Sequence, residues 1–392
     1  MKKLITKLIL FQFFNDLVLV YPVYVLLFQK HGLDAFAISM LLAIWVGSKL
    51  ILEIPSGILA DKYSRRNLIL IGRVFKIFAF IIWLCAGSGF LFGPFWYFAI
   101  GFILWSITGA LYSGTFLAFL YDELNAYGRE ADYEKIQGYM ISASLSGIVI
   151  ALFVGGFVAE ISYNFVLVAS IMSPIISFII LFTVKPAQKV QSTEEKNYLK
   201  FLKLVLINAR KNLYLREIIF MLVFISSIFS AAVEFYPFLF GELGFVEGMV
   251  GFLFGVNYIF VLFGGITVGY LTSKKGNWES ILTLIAGFSI LLITVFKTPI
   301  FLIGLFIAAF FITIFEIRLT NKIQKEIESH ERATMLSISI FLSGGMQLIL
   351  FMVFGLITRT YGSFTMISIA GISIILISIF GITQLTSKSN QP

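Results

Sequence analysis

Long apolar runs broken by short polar punctuation set the pattern of this chain. Runs of 16 to 27 residues recur at 8–28, 36–60, 68–85, 95–121, 138–159, 165–184, 218–240, 249–271, 281–296, 300–319, 334–358 and 364–385. A helix needs about 20 mainly apolar residues to cross a hydrocarbon core of roughly 30 Å, so each run predicts one membrane span. A transmembrane barrel would show alternating segments of about 10 residues, and these runs are continuous. The opening MKKLITKLILFQFF has the look of a signal peptide, yet its apolar run passes through Asp16 to residue 28 with no small-residue cleavage site. It is expected to be the first span.

Composition agrees. Hydrophobic residues make up 59% of the 392 and charged residues 13%, too few to cover a water-soluble surface. The net charge of +8 is arranged by topology. With the N-terminus cytoplasmic, the inner segments collect Lys2, Lys3, Lys7, Lys62, Arg65, Arg66, Arg129, Lys135, the basic stretch 185–216, Lys274, Lys275, Lys322, Lys325, Arg332 and Lys388. The outer loops keep Lys30, Lys297 and Arg359. This asymmetry predicts a multi-pass protein of the cytoplasmic membrane with both termini inside, and leaves no basic patch for nucleic acid. Cys85 is alone in a span and His31 and His330 fall in loops, so neither disulfides nor a metal site is expected. No cofactor motif, nucleotide-binding glycine loop or nucleophile motif occurs, which argues against an enzyme and against nucleotide-driven transport. A non-transporting receptor is a remote alternative.

The one long hydrophilic interruption, 185–216, divides the spans six and six. It begins polar and then mixes Phe201, Leu202, Val205 and Leu206 with Lys200, Lys203, Arg210 and Lys211, the pattern of an interfacial amphipathic helix. The expected domains are therefore 1–184, a cytoplasmic linker 185–216, and 217–392. An internal repeat supports the division: GILADKYSRRN at 57–67, after span two, has a degenerate counterpart in GYLTSKKGNW at 269–278, after span eight.

Twelve spans in two halves, a long central loop and G-x-L-x-D-K-x-S-R-R between spans two and three resemble the major facilitator superfamily. Its loop signature is usually written G-x-L-a-D-r-x-G-r-r, and Ser64 stands here for the glycine. The resemblance implies an all-α fold of two pseudo-symmetric six-helix halves, working as a monomer and moving a small molecule through the bilayer by alternating access. It also implies an inner-face latch. Gly57 would admit a close helix neighbour, Asp61 would cap the N-terminus of span eleven, and Arg65, beside Arg66, would pair with Asp122 at the end of span four. Arg73 is read with this basic loop cluster.

Charges inside spans are costly and mark function by default. Asp16, beside Asn15, lies about 12 Å into span one; Lys49 and Glu53 lie about 16 and 10 Å from the inner end of span two. Either Asp16 and Lys49 neutralise each other, with Glu53 sharing the lysine, or Asp16 exchanges a proton or touches solute. Glu234 sits about 9 Å from the outer end of span seven and is a second coupling candidate. Glu316 and Arg318, at the inner end of span ten, occupy the place of Asp122 and are expected at a second-half inner gate. Aromatic residues crowd the spans that line the cavity in the resembled family. With Lys49 taken as the only deep cation, the solute is expected to be lipophilic or amphipathic, exported in exchange for protons; import of a small metabolite with protons is the alternative. Gly147, Gly155 and Gly156 partly fit an antiporter signature of span five and equally suit tight helix packing.

Overall fold

The computed structural model describes residues 2–87, 93–185, 213–271, 278–326 and 332–388. All regular structure there is helical. In chain order the α-helices are α1 (Lys2–Asp16), α2 (Tyr24–Lys30), α3 (Ala35–Lys62), α4 (Arg65–Leu84), α5 (Pro94–Tyr112), α6 (Thr115–Ala126), α7 (Tyr133–Ile161), α8 (Tyr163–Phe182), α9 (Leu213–Val233), α10 (Tyr236–Glu242), α11 (Glu247–Leu271), α12 (Glu279–Phe296), α13 (Ile303–Glu326), α14 (Arg332–Tyr361) and α15 (Ser363–Lys388). Among the described residues 11 segments are long and apolar enough to cross a membrane. The twelfth crossing is the split pair α1 and α2, whose 15 and 7 residues each fall short alone. The protein is thus an all-α integral membrane protein of twelve spans.

Local chemistry sets the ends and the breaks. Asp34 caps α3 by accepting a hydrogen bond from the Ala37 amide at 2.8 Å. Span one breaks at residues 17–23, where Pro22 has no amide to donate. Span four breaks at Gly114, whose φ of 67° suits glycine and few other residues. Span seven breaks at Glu234 and Phe235, ahead of Pro237 in the first turn of α10.

A break in lipid frees backbone groups that need new partners. In span one these come from two neighbours. Ser170 of α8 accepts from the Val20 amide at 3.0 Å and Ser173 donates to the Phe14 carbonyl, while Lys76 of α4 donates to the Asn15 carbonyl at 2.9 Å. The α7 glycines complete the seat. A methyl at Gly147 would meet the Phe13 carbonyl, and one at Gly155 the Leu19 carbonyl, so these glycines serve close packing of span five on the broken span.

The chain divides into two compact units, Met1–Glu194 with Val246–Gly255, and Glu195–Phe245 with Val256–Pro392. In the first, α1 packs on α7 and α8, and α4 on α5 and α8. In the second the corresponding pairs recur: α9 on α14 and α15, and α12 on α13 and α15. Four equivalent pairings in the same order are what a duplicated six-helix unit produces. Helix α9 already begins at Leu213, so the last residues assigned to the linker belong to span seven. The expected interfacial helix falls on 186–212 and most of the second loop repeat on 272–277, both outside the described residues.

Candidate functional site

The end of α1 gathers the polar groups of the first unit. Asp16 is its last helical residue, and its carboxylate accepts from Asn15 Nδ2 at 3.0 Å and from the Ser144 hydroxyl of α7. One turn earlier Gln12 Oε1 accepts from the Tyr112 hydroxyl of α5. Asn15 Oδ1 is buried without a partner.

Opposite stand two cations that overturn the expectation of Lys49 as the only deep positive charge. Arg73 and Lys76 of α4 are 1% and 3% exposed. They lie about 12 and 16 Å along a helix of about 30 Å, near its middle, and a spacing of three residues puts them on one face. Arg73 lies 5.9 Å from the Phe11 ring centroid and 5.2 Å from that of Tyr112; Lys76 lies 5.8 Å from Tyr21 and 5.7 Å from Trp105. Asp16 is the carboxylate acting on both, yet neither closes an ion pair with it. Arg73 Nε has no hydrogen-bond partner. A charge at the centre of a span costs about 2.5–3.5 kcal/mol on insertion scales, so two such cations beside one carboxylate require a reason.

Lys49 is not the partner of Asp16. It is exposed on α3, and Asn15 and Ser144 take the Asp16 carboxylate instead. Glu53, also exposed, accepts from the Ser113 hydroxyl at 3.0 Å, at the break of span four. Glu234 is half-buried at the break of span seven, the counterpart of the break that follows Asp16.

At the loop motif, Arg65 joins Asp122 in an ion pair and donates to the Ala118 carbonyl at 3.2 Å. Arg66 donates to the carbonyls of Leu181, at 3.1 Å, and Phe182, tying α4 to the end of α8. Asp61 is exposed in the last turn of α3. Gly57 departs from expectation: a methyl there would meet no atom of the described residues within 4 Å, so among them it admits no close helix neighbour. A shallow apolar groove of about 570 Å³ between α3, α4 and α5, bordered by Pro55, Leu59 and Ile71, lies beside the motif and holds none of the charged cluster.

The second unit builds an equivalent ion pair with the charges exchanged. Glu279, first residue of α12, is 1% exposed; Arg318 Nη2 of α13 reaches it at 2.9 Å and Lys322 Nζ at 3.0 Å. Arg318 also donates to the Leu271 carbonyl at 3.0 Å and lies 4.1 Å from the Trp278 ring centroid. Glu316 stays out of this network and neighbours Ser226 of α9. Sequence reasoning misses Glu279 and Lys322 as gate residues, although Glu279 opens span nine just as Arg65 opens span three.

No group of three metal-ligating side chains occurs among the described residues. Curated proteins offer no match to this chain. Among solved structures, the crystal structure of a mutant of the nucleoside transporter NupG superposes with a TM-score of 0.79 at 15% identity, covering 97% of this chain and 99% of that one. The crystal structure of a D-xylose-proton symporter gives 0.72 at 15%, covering 97% and 96%. The inward-open xylose transporter XylE from E. coli gives 0.71 at 13%, covering 98% and 95%. At these identities the likeness is one of fold. The family model described as Major Facilitator Superfamily matches residues 8–349, and the chain belongs to that superfamily.

Proposed function

We propose that the protein is a proton-coupled secondary carrier that takes a small polar solute across the cytoplasmic membrane by alternating access, as a monomer with both termini inside. Family membership makes it a transporter and not an enzyme. The observation carrying the finer reading is the cluster of Arg73, Lys76 and Asp16 at mid-depth beside a split span. Split helices whose ends and irregular backbone face charged groups are where secondary carriers hold solutes and ions. Export of lipophilic cations loses its footing here, because such a solute would meet two buried positive charges against one negative. Solute and proton moving together, the coupling stated in the name of the D-xylose-proton symporter, fits better.

Asp16 and Glu234 are the proposed coupling and solute residues, with Asn15 beside Asp16. Lys49 and Glu53, exposed on α3, are placed at the margin of the route. Asp61, Arg65, Arg66 and Asp122 form the proposed inner latch, and Arg318 with Glu279 the second-half gate. The test is flux into proteoliposomes with an imposed pH gradient. Solute should accumulate on the alkaline side and lose that accumulation with a protonophore. Accumulation on the acidic side would mean exchange against protons, and no flux of any solute would favour a receptor.

A further inference from the structure

We propose that the solute carries a single negative charge, an oxyanion on an organic acid with a planar or apolar body, and that Arg73 and Lys76 of α4 recognise it. This rests on the carrier reading above and names its substrate class. The first argument is charge. With both side chains protonated, Arg73 and Lys76 supply two positive charges and Asp16 one negative, in a setting where both cations are almost fully buried and neither closes an ion pair among the described residues. One further negative charge balances the cluster, and an unbalanced charge at this depth is disfavoured.

The second argument is hydrogen bonding. Buried polar atoms are nearly always partnered, and the exceptions call for an explanation. Two exceptions fall in this cluster: Arg73 Nε, a donor, and Asn15 Oδ1, an acceptor. Arginine is the side chain best matched to an oxyanion, through two parallel N–H donors in a rigid fork. Lys76 already donates to the Asn15 carbonyl at 2.9 Å, so it serves as a point charge that also holds the end of α1.

The third argument concerns the body of the solute. Aromatic rings wall the cations: Phe11 and Tyr112 at Arg73, Tyr21 and Trp105 at Lys76, with the Tyr21 and Trp105 rings stacked at 5.6 Å. Such walls accept a flat or apolar body and offer few partners for a set of hydroxyl groups.

The test reads binding by thermal shift of the purified full chain, without transport. Benzoate, indole-3-acetate and benzenesulfonate, all monoanions, are compared with benzamide, indole-3-acetamide and tetraphenylphosphonium. The proposal expects at least one acid to raise the melting temperature, with its amide binding at least about tenfold more weakly. Benzoate and benzenesulfonate, equal in charge, separate carboxylate from sulfonate as the preferred oxyanion. In the variants, Arg73→Gln should abolish the acid-dependent shift and Arg73→Lys should keep part of it. The acid-against-amide comparison in the unaltered protein stands even where a variant misfolds. Equal binding of acid and amide, preference for the phosphonium cation, no shift with any acid at millimolar concentration, or a full shift in folded Arg73→Gln overturns the proposal. Acid binding without flux would instead sink the carrier reading and leave this one standing.

Discussion

Replacing Glu279 with glutamine leaves its size and removes its charge, stranding Arg318 and Lys322 beside a neutral amide. The carboxylate is 1% exposed and the Arg318 side chain 10%, whereas the Lys322 side chain keeps 23%. Removing one partner of a buried ion pair costs about 3–5 kcal/mol, because the remaining charge stays desolvated. Water at Lys322 pulls the expectation to the lower end, about 3 kcal/mol, or more than a hundredfold in the folding equilibrium. The equivalent pair in the first unit supplies the control. Arg65 and Asp122 have side chains 23% and 39% exposed, so Asp122→Asn should cost only about 0.2–1 kcal/mol. Unfolding of the purified protein by SDS, followed by circular dichroism, compares the two variants in one background. Adding Arg318→Met to Glu279→Gln should recover part of the loss by removing the stranded charge. A Glu279→Gln variant within about 1 kcal/mol of Asp122→Asn, on the scale of an exposed pair, would refute the reasoning.

Other expectations concern packing, coupling and gating. Gly155→Ala sets a methyl against the Leu19 carbonyl and should destabilise by about 1–3 kcal/mol, while Gly57→Ala, with open space around it, should leave the midpoint unchanged in the same SDS titration. Glu234→Gln should weaken the pH dependence of proteoliposome flux more than Asp16→Asn, which should chiefly impair solute binding; full gradient-driven transport by Glu234→Gln would return Asp16 to first place. Asp61→Asn should move cysteine labelling toward the inward-open pattern with expression intact, and identical labelling from both sides would reduce the loop motif to a topology signal.

The spans were legible because a membrane leaves little freedom: an apolar run long enough to cross must be a helix, and polar punctuation ends it. The expected 36–60 and 249–271 fall inside α3 and α11 as observed. The breaks were less legible. Residues 17–23, LVLVYPV, are as apolar as the helix before them, and hydropathy does not register a missing turn. What allows the break is tertiary, namely Ser170, Ser173 and Lys76 reaching across from α8 and α4. The pairing of Arg65 with Asp122 followed from the resemblance, and the structure brings them together. Arg73 and Lys76 carried a readable signal, two cations three residues apart inside RVFKIF. Placing Arg73 with the loop charges hid it, and the expectation of Lys49 as the only deep cation fell with it.

Duplication preserved the scaffold and let the charges diverge. Each unit opens with a split span, and Tyr-Pro marks each break, inside it at Tyr21 and Pro22 and directly after it at Tyr236 and Pro237. The same helix pairs recur. Setting the start of α4 against the start of α12 aligns Arg65 with Glu279, so the ion pair to the next span is kept while its polarity is reversed. Continuing that alignment puts Gly287 and Ile290 where the first unit has Arg73 and Lys76. Both are buried: Gly287 packs on α15, where a methyl would come 3.0 Å from the Gly371 carbonyl, and Ile290 packs against Gly371. A position that needs a charge for folding alone would be expected to need one in both copies, since the packing around it is shared. The second copy folds with apolar residues there. That asymmetry supports the proposed role of the first unit's cations in holding the solute and leaves the scaffold to pairings that both copies retain.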